Sequence, residues 1–102
     1  MIRNRPPSPQ TRKLLAALLS QPAQWQHGYA LSEQTGLNSG TLYPILMRLS
    51  DRGLVESRWE PSRHEGRPPR KLYRLNPDGV AYAIEHAEFE GVRPGQLSPG
   101  QT

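Results

Sequence analysis

Six cations crowd the stretch from Ser57 to Arg74: Arg58, Arg63, Arg67, Arg70, Lys71 and Arg74, opposed by Glu60 and Glu65, a net of +4. Guanidinium and ammonium groups at that density are suited to neutralising phosphate oxygens, and arginine adds a planar fork that takes two oxygens at once. A solvated charged surface would explain such a run by itself. The rest of the chain argues for an oriented partner, because from Asn76 onward Asp78, Glu85, Glu88 and Glu90 stand against Arg93, a net of −3. Positive charge is thus concentrated in one middle segment. The 102 residues together hold 13 Lys and Arg against 9 Asp and Glu, giving +4 and a pI near 10.0. A polyanion is the partner this balance suggests.

Other chemistries find few residues to carry them. The chain has no cysteine, so a disulfide framework, a thiolate metal site and a cysteine nucleophile are excluded. His27, His64 and His86 fall in separate segments, and Glu85-His86-x-Glu88 has no matching ligands elsewhere, so neither a metal nor another cofactor is expected. No G-x-S-x-G, phosphate loop or placeable carboxylate pair points to an enzyme. No run approaches the roughly 18 apolar residues of a membrane span, and MIRNRPPSPQ is too polar for a signal peptide. A cytoplasmic chain with no membrane partner is the expectation. At this length one small domain is expected, with a core marginal enough for self-association to add stability.

The elements that must position these cations can be read from periodicity and punctuation. Residues 1–7 read as a disordered arm. Ser8 and Pro9 supply a cap and a first-turn proline for a helix carrying the Leu14, Leu15, Leu18 and Leu19 stripe to about Ser20. Tyr29 to Thr35 predicts a short helix stopped by Gly36. Asn38 or Ser39 can cap the next, over 39–52, in which Leu42, Ile45, Leu46 and Leu49 recur at helical spacing until Gly53. Pro44 sits awkwardly in it. A cap as late as Thr41 would leave Pro44 in the first turn, where its missing N–H costs little, whereas a Ser39 cap would bend that turn. Wheel geometry turns Gly40, Pro44, Met47, Arg48 and Asp51 outward, with Ser39, Gly40, Thr41 and Tyr43 near the tip.

Strand signals follow. In LVESRWE, residues 54–60, Val55 and Trp59 fall on one face with Ser57 between them, expected to be buried, while Glu56, Arg58 and Glu60 take the other. PSRHEGRPP, residues 61–69, reads as an exposed hairpin loop, and RKLYRL, residues 70–75, returns with Tyr73 and Leu75 inward. Asn76 and Pro77 open a last helix expected to run to about Glu90, and 91–102 reads as a flexible tail. On that helix Val80, Ala83, Ile84 and Ala87 form one apolar face. Tyr82 and Phe89 lie roughly opposite and, with His86, form the candidate dimer surface.

Three helices, a strand, a basic loop, a strand and a helix make a mainly α (α+β) fold, a winged helix-turn-helix with a two-stranded wing and a single C-terminal dimerisation helix. Residues 8–76 would be the DNA-binding domain and 77–90 the dimerisation helix. In such a fold the second helix of the pair enters a major groove while the wing touches phosphates or a minor groove.

The run GYALSEQTGLNSGTLYPILMRLSDRGLVESRWE, followed by GRPPRKLYRLNPDG, resembles the PadR family of bacterial transcriptional regulators. That family's pattern has the form G-Y-x-L, T-G-x-x-x-G-T-L-Y-P-x-L-x-R-L-x-x-x-G-L-I and G-R-P-R-x-Y-Y-x-L-T-x-x-G. The resemblance covers about residues 28–79 and rests on Gly40-Thr41-Leu42-Tyr43-Pro44 and Gly66-Arg67-Pro68. Asn38-Ser39 stands where Ser-Pro is more usual, and Pro69 is an added proline; both touch the DNA-facing surface. The resemblance implies that Thr41 and Tyr43 approach DNA. The residues themselves permit Thr41 on phosphate and Tyr43 through its hydroxyl or ring edge, with a core position as the alternative for Tyr43.

The candidate DNA-binding set is Tyr29, Asn38, Ser39, Gly40, Thr41, Tyr43 and Arg48 from the helices, with Arg63, His64, Arg67, Arg70 and Lys71 from the wing. The family's sensing of small hydrophobic compounds would allow Trp25, Tyr29 and Trp59 to line an effector pocket, although plain core is the expected use of three aromatics in a small domain. The expectation is a dimeric repressor binding double-stranded DNA. A winged-helix module docking an acidic protein is the alternative.

Overall fold

Caps, prolines and glycines punctuate the chain. The computed structural model describes residues 7–61, 66 and 68–87; all but Pro7 of the arm expected over 1–7, the wing residues Arg63, His64 and Arg67, the expected helix end over 88–90 with Phe89, and the tail over 91–102 lie outside the described residues. In order the elements are α1 (Pro9–Ser20), β1 (Gln26–His27), α2 (Gly28–Thr35), α3 (Ser39–Asp51), β2 (Val55–Glu60), β3 (Arg70–Leu75) and α4 (Pro77–His86). Ser8, Asn38 and Asn76 each turn a side-chain oxygen to the backbone N–H of the third residue ahead, at Thr11, Thr41 and Gly79, satisfying donors that α1, α3 and α4 cannot pair internally. Gly36 ends α2 in the left-handed conformation at φ 77° and closes its N–H on the Ser32 carbonyl.

The cap at Asn38 resolves the position of Pro44. With the helix starting at Ser39, Pro44 is an interior residue and lies outside the first turn. It therefore removes one helical hydrogen bond, leaving the Gly40 carbonyl without the N–H it would otherwise accept from. Gly40 and Pro44 are both exposed, so water can serve that carbonyl.

Leucines dominate the core. Leu14, Leu15 and Leu18 of α1 and Leu31 of α2 pack with Leu42, Ile45, Leu46 and Leu49 of α3, and Leu54, Val55, Tyr73, Leu75, Ala83 and Ala87 close the layer. The sheet is antiparallel with strand order β1-β3-β2, so the expected two-stranded wing is joined by a third strand. Gln26 pairs with Tyr73 and His27 with Leu72. A strand of two residues offers no alternation to read, which is why sequence reasoning passed over it.

Register divides the hairpin faces as the alternation suggests: Val55 opposite Leu75, Ser57 opposite Tyr73 and Trp59 opposite Lys71 share one face. The burial of Trp59 does not follow, since it is 63% exposed. The hairpin outruns the helical layer, so the inner face is covered at Val55 and bare at Ser57 and Trp59. On the reverse face Leu72 is buried, in register with His27 on one side and Arg58 on the other.

The last helix also departs from expectation. It ends at His86, and Ala87 leaves it with extended backbone, φ −65° and ψ 150°, while its N–H still closes on the Ala83 carbonyl. The inward stripe is Gly79, Ala83 and Ala87, flanked by half-buried Val80 and Tyr82, whereas Ile84 points outward at 56% exposure. Gly79 sets this rotation. A side chain there would overlap the Leu54 carbonyl oxygen, so only glycine lets the helix start rest on the α3–β2 junction. No helix among the described residues is long and apolar enough to cross a membrane.

Candidate nucleic-acid interface

The α2-turn-α3 pair buries Leu31 beneath α2 and the Leu42, Ile45, Leu46 and Leu49 stripe beneath α3. Ser39, Gly40, Tyr43, Pro44, Met47, Arg48 and Asp51 remain on the exposed side of α3. Thr41 is half-buried, and the Asn38 carboxamide oxygen is committed to the cap. The helix is anchored along one stripe and free along the other, as a groove-reading helix must be.

Tyr43 lies between the two placements that its sequence position leaves open. At 38% exposure it is neither core nor free. Its ring rests against Gly28, where a Cβ would come within 2.7 Å of Cε1 and Cζ, and lies 6.4 Å from the Tyr73 ring at 55°. The Tyr73 phenol is pushed above its ordinary range, first by burial and then by the neighbouring Tyr43. Gly28→Ala should force Tyr43 off its seat and destabilise the fold by about 1 to 3 kcal/mol, the usual cost of overpacking; urea unfolding of the variant checks this.

A cleft of about 440 Å³ opens beside that ring, lined by His27, Gly28, Tyr29, Tyr43, Arg70 and Lys71. It brings together two tyrosines from the helix pair and two cations from β3 that are far apart in sequence. Tyr29 is 63% exposed. Arg48 is not part of this group. It lines a separate hollow of about 420 Å³ with Ser8, Thr11, Ile45, Leu49, Arg52 and Tyr82, on the side of α3 that meets α1 and α4.

Two more of the cations counted in the sequence have structural partners. Arg58 and Arg74 lie 4.6 and 4.4 Å from the Trp25 ring centroid, and Arg74 also donates to Glu56 at 3.3 Å. Trp25 is accordingly half-buried on the outer sheet face, while Tyr29 and Trp59 are each 63% exposed. The three aromatics form neither the expected core nor a shared pocket, because they stand on elements whose faces diverge. His27, which sequence reasoning did not place at this surface, lines the cleft with Nε2 2.8 Å from Glu60 Oε1. Its position directly before Gly28-Tyr29, at the helix start, is the signal that could have found it.

On α4, Tyr82 is half-buried. The Arg52 guanidinium lies 5.0 Å from its ring centroid and the His86 ring 4.4 Å away. No cluster of three or more His, Asp or Glu able to hold a metal is found among the described residues.

Comparison with known proteins bears on the family and the fold. Residues 14–85 match the Transcriptional regulator PadR-like family. A PadR family transcriptional regulator from Eggerthella lenta shares 32% identity over 74% of this chain and 70% of its own, with a TM-score of 0.61. A PadR family transcription regulator from Clostridium difficile shares 24% over 72% and 78%, TM-score 0.59. The circadian clock associated protein Pex from Anabaena shares 22% over 82% and 80%, TM-score 0.60. The last two are alike in fold. No curated protein matches the sequence. The family match takes in the helix-turn-helix, the sheet and nearly all of α4, and the chain belongs to the PadR-like family of transcriptional regulators.

Proposed function

We propose that the protein is a sequence-specific, dimeric repressor of bacterial promoters, acting in the cytoplasm, which reads the major groove with the tip of α3 and grips the backbone with its wing. The observation that carries this reading is the cleft in which Tyr29 and Tyr43 meet Arg70 and Lys71. Tyr43, braced by Gly28, directs its open edge toward a base. Ser39 and Thr41 serve phosphate oxygens, and Gly40 lets the helix tip approach closely. Arg63, His64 and Arg67 extend the basic run into the loop between β2 and β3. Two copies joined through the outward face of α4, which carries the exposed Ile84 and lies across the helix from the Tyr82, His86 and Phe89 side expected from the sequence, set their α3 helices about one helical turn apart, roughly 34 Å. Occupying such a site blocks a promoter.

Sequencing the genomic fragments retained by purified protein tests specificity, and titration at several salt concentrations tests the backbone grip. The logarithm of affinity should fall linearly with the logarithm of salt, by about 0.9 per phosphate neutralised. Tyr43→Ala should weaken operator binding by about 1 to 3 kcal/mol, the scale of one base-reading contact. An affinity unchanged in a folded variant refutes that role for Tyr43. Failure to retain any fragment would favour an acidic protein as the wing's partner.

A further inference from the structure

We propose that Trp59 and Lys71 form one composite contact for the sugar-phosphate backbone of duplex DNA, with the indole laid on a deoxyribose and the ammonium on the neighbouring phosphate. This rests on the DNA-binding reading above and adds to it a residue that the helix-turn-helix and basic loop do not account for.

An indole left 63% exposed forgoes most of the burial that normally stabilises this side chain. Trp59 is the second-to-last residue of β2, on the face shared with Val55 and Ser57, and stands directly opposite Lys71. The Lys71 ammonium lies 5.3 Å from the Trp59 ring centroid, and Lys71 also lines the cleft beside Tyr43. The indole is therefore continuous with the surface from which α3 projects.

Of the described cations of the hairpin, Lys71 is the one that stands over an exposed ring. Arg74 is engaged by Glu56, and Arg58 and Arg74 are both held over Trp25. Lys71 touches a ring and, among the described residues, has no carboxylate partner. A cation above an aromatic face keeps its N–H donors for an anion while its position is restrained. An apolar plate next to such a donor matches a strand in which apolar sugars alternate with anionic phosphates. The +4 of the surrounding segment repels a second copy of the same wing, which makes DNA the fitting occupant. A contact of this kind carries no base information, so it should act alike on every sequence.

The test uses fluorescence, because Trp25 and Trp59 are the two tryptophans of the chain. In Trp25→Phe, which keeps an aromatic face for both arginines, emission comes from Trp59 alone. Saturation with a mixed-sequence duplex at low salt, followed independently by polarisation of the labelled DNA, should lower the acrylamide quenching constant at least about twofold as the indole is covered. In Trp59→Phe, which retains Trp25, the same titration should leave quenching unchanged. Trp59→Ala should weaken binding to all duplexes by about fivefold, the low end of an aromatic contact to nucleic acid. Lys71→Gln should flatten the salt slope by about one unit. Full saturation by polarisation with Trp59 still as quenchable as in the free protein overturns the contact while leaving DNA binding intact. No polarisation change at low salt overturns the DNA-binding reading, and this contact with it.

Discussion

Replacing Gly79 with alanine should destabilise the protein by about 3 kcal/mol, read as a fall of roughly 12 to 24 °C in Tm for a domain of this size. The added Cβ would overlap the Leu54 carbonyl oxygen and come within 2.9 Å of its carbon and 3.0 Å of Leu75 Cδ2. Backbone cannot rotate aside as a side-chain tip can. The obstructed carbonyl also accepts the Asn76 N–H at 3.1 Å, while the Asn76 carboxamide donates to Gly53 O at 2.6 Å. Displacing α4 would therefore strain the junction that joins the end of α3 to the start of β2. A Tm within a few degrees of the parent would show that α4 slides outward without loss, and that the Gly79 contact does not hold it.

A second large effect is expected at Ile84, and it depends on the proposed dimer. At 56% exposure on α4, Ile84 is available to a second copy. Ile84→Asp should leave the monomer's fold nearly intact, since exposed substitutions seldom move stability by more than about 0.5 kcal/mol. In a dimer the same change would bury an unpaired carboxylate, and the subunits should separate. A monomer engages one half-site, so operator affinity should drop by about a thousandfold or more toward the non-specific level, although α3 and the wing are untouched. Sedimentation decides the matter. A single species at 11.5 kDa is expected, and a mass that stays twice that would move the dimer contact away from Ile84.

How much of this was legible beforehand depended on the kind of signal. The caps at Ser8 and Asn76 could be read, and that of α3 narrowed to Asn38, Ser39 or Thr41, because such side chains act on backbone only three residues away. The α3 stripe could be read because four large apolar residues repeat at helical spacing. The wing's alternation located both strands and their faces, but alternation says nothing about where the covering layer stops, so Trp59 was expected to be buried and is bare. β1 is too short to have a period. The rotation of α4 was hidden for another reason. Ile84 and Val80 are equally apolar, and the choice between them is made by the missing Cβ of Gly79 against a carbonyl some 25 positions earlier in the chain, at Leu54. Of the candidate DNA-facing residues, Tyr29, Tyr43, Arg70 and Lys71 converge, whereas Arg48 opens on the other hollow; convergence across elements is a tertiary property that spacing alone does not carry.

The short strand β1 has a mechanical consequence. It pairs with the central strand β3 and runs without a break into α2, whose first residue, Gly28, supports Tyr43. The root of the wing and the reading head are thereby riveted into one plate, with the His27–Glu60 contact as a further cross-tie. A stiff tool cannot mould itself to grooves of differing width, so the work of conforming falls on the nucleic acid. For the proposed dimer, operators would then be ranked partly by how readily their untouched base steps bend, and flexible pyrimidine–purine steps between its two half-sites would strengthen binding without meeting a single side chain.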